Sequence, residues 1–260
     1  MEYKEKKDKL VNNNEKRMWG KFYGIGIGPG DPELITLKAK RVLGELDFLF
    51  APSKSQEADS LAYSIVRQFI SEKAIVEKMV FPMIYNKNEL NEAWSKNTAR
   101  IVETLREKKK VGFITLGDPM VYSTYSYIFS KIRINYSAIE IETIPGISSL
   151  TALSAVAGIP LMEGDETTTI IPAPYSINKF DEILQYSDNI ILMKLPKDCS
   201  SLLEKIENHH LENHIVYGEN CYLPNQIIKY NIKDLEMEKK KKRYLSIMLI
   251  KKKNKHLQKV

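Results

Sequence analysis

Lys21-Phe22-Tyr23-Gly24-Ile25-Gly26-Ile27-Gly28-Pro29-Gly30-Asp31-Pro32 is the stretch whose reading decides the fold of this chain. Lys21 to Gly28 has the apolar character of a short buried strand. Asp31-Pro32-Glu33-Leu34 then offers helix-start chemistry, a short acidic cap followed by proline at the first helical position. Leu34, Leu37, Val42 and Leu43 recur at helical spacing, so the segment reads as strand, glycine turn, helix. A dinucleotide fingerprint, G-x-G-x-x-G, fails in both frames: from Gly24 it needs glycine at Pro29, and from Gly26 it needs glycine at Asp31. The acidic residue that would hold a ribose is also missing, because the second strand ends Phe50-Ala51-Pro52.

Working outward, the same alternation continues. Asp47 to Pro52, Ala74 to Phe81, Val111 to Leu116 and Ile139 to Ile144 read as strands. Helical patterns lie between them at Ser60 to Ile70, around Trp94, Ile101, Val102 and Leu105, and after Pro119. A second series begins with the small-residue helix Ser148 to Ala157. It continues through apolar strands at Thr168 to Pro172, Asn189 to Met193, His214 to Tyr217 and Tyr244 to Ile250. Strands alternating with helices predict an α/β protein of two lobes, each with a mostly parallel sheet covered on both faces. Lys239 to Arg243 and Lys251 to Lys253 flank the last apolar strand, where lysines commonly protect a sheet edge. The expected organisation is a flexible charged extension over 1–18, an N-terminal α/β domain over 19–146, a C-terminal one over 147–254 and a basic tail over 255–260.

Bulk composition narrows the function classes. With 260 residues and 43% hydrophobic content the chain can bury two cores, and no apolar run approaches the roughly 20 residues that span a bilayer. Residues Met1 to Arg17 lack the apolar core of a secretory signal. Two cysteines, Cys199 and Cys221, without metal-ligand spacing, fit a reducing cytoplasm and oppose a disulfide framework or a zinc site. The formal charge of +6 conceals an asymmetry: Lys239 to Val260 carries nine Lys and one Arg with no acid, leaving the rest of the chain at about −4. An excess confined to one end reads as a solvated tail; a nucleic-acid binder would carry it across its working face. His210 and His214 stand four apart without a third ligand nearby and read as a solvated helix end. No phosphate loop G-x-x-x-x-G-K-[ST], nucleophile elbow G-x-S-x-G or zinc helix H-E-x-x-H occurs.

What remains is a set of three loops at strand C-terminal ends, where open α/β sheets bind their ligands. They are Gly28-Pro29-Gly30-Asp31, Gly117-Asp118-Pro119 and Pro145-Gly146-Ile147-Ser148-Ser149. Glycine lets backbone approach a ligand closely, and serine hydroxyls or free amides can bind a carboxylate or a ribose. Each loop alone is ordinary turn chemistry; three on one sheet edge point to a small-cofactor site.

In order and spacing, these three loops resemble the tetrapyrrole methylase family, over about Gly20 to Ile250. Ser60-Leu61-Ala62, Phe81-Pro82-Met83, Trp94 and Gly117 to Thr124 are most similar to its branch that methylates C20 of precorrin-2 or cobalt-factor II in cobalamin synthesis. The resemblance implies a cytoplasmic homodimer that binds S-adenosylmethionine (SAM) between two α/β lobes; the charge distribution and the short apolar runs add the expectation of no nucleic acid or membrane partner. It implies SAM contacts at Pro29, Leu116, Gly117, Asp118, Val121, Ser123, Thr124, Ser148, Ser149, Met193 and Cys221. Relatives often carry glycine near Cys221. The uroporphyrinogen branch has an Asp after its second strand, whereas this chain has Pro52-Ser53-Lys54, which disfavours that activity. Methylation at a different corrin position, methylation of ribosomal RNA, and non-catalytic SAM binding also remain compatible with the three loops.

A sulfonium methyl is already activated and a reduced tetrapyrrole carbon is electron-rich, so alignment matters more than covalent catalysis. Tyr122, beside the Asp118 loop, is the candidate base; its other reading is packing with Tyr125 and Phe129. Lys54 and Lys194 are the candidate partners of substrate carboxylates.

Overall fold

The computed structural model describes residues 18–81, 87–173, 177–196, 198–233 and 245–253. The chain divides into two compact units, residues 1–147 and 148–260. All but Met18 of the extension assigned to 1–18, the basic tail (255–260), Pro82-Met83 and Lys239 to Tyr244 fall outside the described residues.

In the first unit β1 (Lys21–Gly26) is buried along almost its whole length, as a strand covered on both faces must be. It pairs in parallel with β4 (Lys110–Thr115) on one side and β5 (Glu140–Ile144) on the other. Beyond β4 lie β2 (Phe48–Ser53) and β3 (Ile75–Val80), also parallel, giving the order β3-β2-β4-β1-β5. The connections are α1 (Leu37–Leu43), α2 (Leu61–Val66), α3 (Lys87–Arg106) and α4 (Tyr125–Asn135). The first two crossovers run one way along the sheet and the last two the other way. Right-handed crossovers therefore place α1 and α2 on one face and α3 and α4 on the other. The core on the α3/α4 face joins Phe22, Phe50, Val111 and Phe113 to Ile101, Leu105, Tyr125, Ile128 and Ile132. The direction of crossover reverses between β1 and β4, which makes their C-terminal ends the topological switch point of the sheet.

Local details differ from the sequence reading. Asp31 accepts a hydrogen bond from Glu33 N–H, but it caps only a short 3-10 turn, Pro32–Leu34; the α1 helix starts afresh from Thr36, whose hydroxyl accepts from Ala39 N–H. Leu37 is 87% exposed, so it belongs to no core stripe. The helix expected directly after Pro119 begins only at Tyr125, because residues 119–124 are spent on a loop.

The second unit contains β6 (Thr168–Pro172), β7 (Asn189–Met193), β8 (Ile215–Glu219), β9 (Ile227–Lys229) and β10 (Ser246–Lys251), in the order β6-β7-β10-β8-β9. Its helices are α5 (Ser149–Ala157), α6 (Phe180–Tyr186) and α7 (Ser200–Asn208). Only β6 and β7 pair in parallel; β7 with β10, β10 with β8, and β8 with β9 are antiparallel. The expectation of a mostly parallel second sheet is therefore corrected. After β8 the chain turns back as β9 and later inserts β10 between β7 and β8, and an apolar run reads the same whichever way its strand points.

The edge-guard reading of the lysines also fails. β10 is the central strand, and every one of its residues is buried. Lys251 is 1% exposed: its ammonium donates to Pro160 O at 2.9 Å and pairs with Glu166 at 3.2 Å. Lys252 donates to Leu184 O, and Lys253 pairs with Asp188 at 3.1 Å. Lys251 is therefore part of the core and not of a solvated tail, since a buried ammonium persists only where carbonyl and carboxylate oxygens replace its water, whereas Lys253 is an exposed residue in an ion pair.

Candidate functional site

The three loops of the first unit follow β1, β4 and β5, which are neighbours in the sheet, so all leave from one edge. The strand pairing extends into the loops: Ile27 N–H donates to Thr115 O, and Gly28 and Gly117 exchange both backbone hydrogen bonds, at 3.3 and 2.7 Å. Gly28 (φ 76°) and Gly117 (φ 68°) then turn through the left-handed region. The loop after β5 closes onto this bridge. A Cβ on Gly146 would lie 2.3 Å from Gly117 O, and one on Gly26 would lie 2.6 Å from Gly146 N. Backbone meets backbone here at distances that only glycine allows.

Around this junction lie Pro29, Leu116, Gly117, Asp118, Val121, Tyr122, Ser123 and Thr124. Pro29 is half-buried in the first loop. Asp118 accepts from Met120 N–H (2.8 Å) and Gly146 N–H (3.1 Å), so its carboxylate joins the second loop to the third. Ser123 is buried; its hydroxyl shares a hydrogen bond with Thr115 Oγ1 at 3.0 Å and accepts from Tyr125 N–H at 3.1 Å. Thr124 is the N-cap residue of α4, without a side-chain capping bond. Tyr122 precedes α4, is 43% exposed and has φ 47°, a costly conformation for a residue with a Cβ. Tyr125, by contrast, is fully buried, with its hydroxyl on Thr143 Oγ1 and its ionisation pushed upward by desolvation. Lys54 is exposed just after β2, at the same edge of the sheet.

In the second unit, the C-terminal ends of β7 and β8 and the start of β10 share one end of the sheet. Met193 is the last residue of β7, and the exposed Lys194 follows with φ 55°. Although the residue reaches solvent, partial desolvation of its ammonium lowers its pKa. Cys221 follows β8, and burial pushes its thiol up to about 11, so it stays protonated at neutral pH and acts as a small apolar group. Ser148 is the N-cap of α5, accepting from Leu150 N–H at 3.4 Å, and Ser149 is the first residue of that helix. Leu153 of α5 packs on Gly218 beside Cys221, where a Cβ would lie 2.5 Å from its methyl.

Sequence reasoning missed three features. Ser246 opens β10 opposite Glu219 with a buried hydroxyl that has no partner among the described residues. Tyr217 donates to the buried Glu219 carboxylate at 2.9 Å. The Tyr125–Thr143 contact joins residues on different elements. Only the second had a local signal, since Tyr217 and Glu219 stand two apart on β8 and so share a face.

A doubly covered parallel sheet with glycine loops converging at its switch point defines an open α/β protein of the class that binds ligands at the C-terminal ends of its strands. Comparison with known proteins makes the class specific. The profile of the tetrapyrrole (corrin/porphyrin) methylases matches residues 21–236, and the chain belongs to that family. It is 39% identical over 189 residues to a protein of Methanocaldococcus jannaschii named a probable cobalt-precorrin-2 C(20)-methyltransferase, covering 72% of this chain and 77% of that one. It is 36% identical over 178 residues to the cobalt-precorrin-2 C(20)-methyltransferase of Salmonella typhimurium, covering 68% and 74%. Among solved structures, a uroporphyrin-III C-methyl transferase from Thermus thermophilus complexed with S-adenyl homocysteine superposes with a TM-score of 0.61 at 17% identity, over 89% of this chain and 97% of that one. No helix among the described residues is long and apolar enough to cross a membrane.

Proposed function

We propose that this chain is a SAM-dependent C-methyltransferase that methylates C20 of a reduced tetrapyrrole in cobalamin biosynthesis, with a cobalt form of the substrate, cobalt-precorrin-2 or cobalt-factor II, favoured over metal-free precorrin-2. The carrying observation is that the Methanocaldococcus and Salmonella relatives bear the cobalt-precorrin-2 C(20) name and align over two thirds or more of both chains. The glycine junction Gly26, Gly117 and Gly146 supports a small cofactor at this edge, because it draws the loops after β1, β4 and β5 together where open α/β sheets bind ligands.

Bound there, SAM would supply an electrophilic methyl on sulfur. The chain's own part is binding and alignment. Pro29, Leu116, Gly117, Asp118, Val121, Ser123 and Thr124 of the first unit would form one set of contacts or supports. Ser148, Ser149, Met193 and Cys221 of the second would form another. Tyr122 would be the base that takes the proton from the methylated carbon, a role supported by its exposed phenol and left-handed backbone beside the Asp118 loop. Lys54 and Lys194 would face substrate carboxylates. Cytoplasmic location and a homodimer complete the reading.

Anaerobic incubation with SAM and either precorrin-2 or its cobalt form, followed by mass measurement and location of the new methyl carbon, tests it. One added methyl at C20, faster with the cobalt form, is expected; no methylation of either compound would sink the assignment. In the same assay Lys54→Ala should raise KM for the tetrapyrrole and leave that for SAM unchanged.

A further inference from the structure

The strand β1 lies between β4 and β5, so whatever follows β4 can reach whatever follows β5 only by passing across β1. Side chains alternate along a strand, and the face of β1 that carries Phe22 into the α3/α4 core carries Gly24 and Gly26 at its next two positions. Two contacts use the space these glycines leave. The Tyr125 ring lies over Gly24, where a Cβ would sit 2.0 Å from its Cζ, and its hydroxyl meets Thr143 Oγ1 of β5 at 2.6 Å. Thr143 is itself the register partner of Gly24. At the next glycine, Asp118 Oδ2 accepts from Gly146 N–H at 3.1 Å while Oδ1 accepts from Met120 N–H at 2.8 Å. A Cβ on Gly26 would lie 2.6 Å from Gly146 N and 2.8 Å from both Gly117 O and the Pro119 ring.

We infer that Asp118 and Tyr125 are positioning residues: two braces laid over the glycine side of β1 fix the loop after β4 against the loop after β5, and Gly24 and Gly26 are the passage that lets them cross. This inference rests on the SAM reading only for its effect on ligand binding; the braces themselves belong to the free protein. It gives the first two glycines of the opening segment a purpose distinct from touching a ligand. It also assigns Asp118 an action through the Gly146 amide. Both carboxylate oxygens are acceptors, as the two amides require, whereas an asparagine would turn an NH2 donor toward one of them.

The test uses the full chain, with S-adenosylhomocysteine as the probe of the cofactor site. Backbone hydrogen exchange over residues 140–150 is followed without ligand, and probe affinity by calorimetry. Asp118→Asn should speed exchange at Gly146 and weaken the probe, each roughly tenfold, as expected for loss of a charge-assisted hydrogen bond. Tyr125→Phe and Thr143→Val each remove one hydroxyl and should weaken the probe about threefold, the pair together no more than either alone, with Thr143→Ser restoring affinity. Wild-type exchange at Gly146 in Asp118→Asn would overturn the brace. So would weakened probe binding with unchanged exchange, since that marks a direct contact. If Asp118→Asn does not fold, the Tyr125/Thr143 cycle decides, and additive losses there refute the inference. A wild-type chain that fails to bind the probe defeats the cofactor reading instead, and the exchange measurement still judges the brace.

Discussion

In the first sheet all five strands run parallel, and every loop that follows a strand leaves from one edge; in the second, only β6 and β7 are parallel, and β10 runs back between β7 and β8. The two edges solve their turns differently. The first bends chiefly at Gly28 and Gly117, where positive φ costs almost nothing, with Tyr122 (φ 47°) its one residue bearing a Cβ in that region among the described residues. The second bends at Lys194, Asn220, Tyr222 and Leu245, each carrying a Cβ at φ between 52° and 61°, at roughly 1–2 kcal/mol apiece. A parallel sheet collects its loops by topology alone and can turn them mostly at glycine, leaving strain at the single position Tyr122. A mixed sheet reaches a similar gathering of chain ends only by inserting a reversed strand, and its local strain must be held by the packing around it.

That contrast predicts unequal dependence on the last strand. Truncation after Glu238 removes β10 from the centre of the second sheet. Exchange protection should vanish throughout residues 148–233 and persist in β1, β4 and β5; protection surviving in β7 and β8 would mean that the second unit does not need its central strand. Lys251→Ala is the next largest perturbation. It strips the buried partner from Glu166, whose carboxylate is held below its usual range first by Asn189 and then by Lys251. A loss of about 3 kcal/mol in urea unfolding is expected, partly recovered in Lys251→Met/Glu166→Gln; a loss under ~1 kcal/mol would show that the pocket admits water.

The smallest effect belongs to the first sheet. Lys21 bonds Glu142 at 2.8 Å, and Lys38 bonds it as well, and together they hold its carboxyl near about 2. A folded-state pKa below the unfolded value means stability that is present above about pH 4.5 and lost as pH falls toward 2. Because the pair is partly exposed, the contribution is about 0.5–1 kcal/mol. Glu142→Gln should lower stability at neutral pH by this amount and leave it nearly unchanged near pH 2, so that the acid limb of the stability curve flattens; an identical limb would remove Glu142 from the account.

Much of this architecture was legible because local rules agree with the fold. Apolar runs marked nine of the ten strands found among the described residues, and glycine-proline turns ended those that carry the first-unit loops. Direction was not legible, since β10 has the same apolar run either way. β9 was missed because three half-buried residues make no pattern. The site was legible as three loops. Their mutual fixing was not, because Asp118 with Gly146 and Tyr125 with Thr143 are contacts between residues 28 and 18 positions apart. Tyr125 read as one aromatic among several on a helix; its hydroxyl's partner appears only once β5 stands beside β1.

The central position of β10 also sets a timetable. During synthesis the first sheet has all of its strands once Ile144 has left the ribosome, whereas the second has a vacancy at its middle until Lys251 emerges, about a hundred residues later. Through that interval β7 and β8 each present an unpaired, largely apolar edge. The second unit is thus the part of the nascent chain that most needs the shelter chaperones give, and slow translation near its end would prolong the hazard.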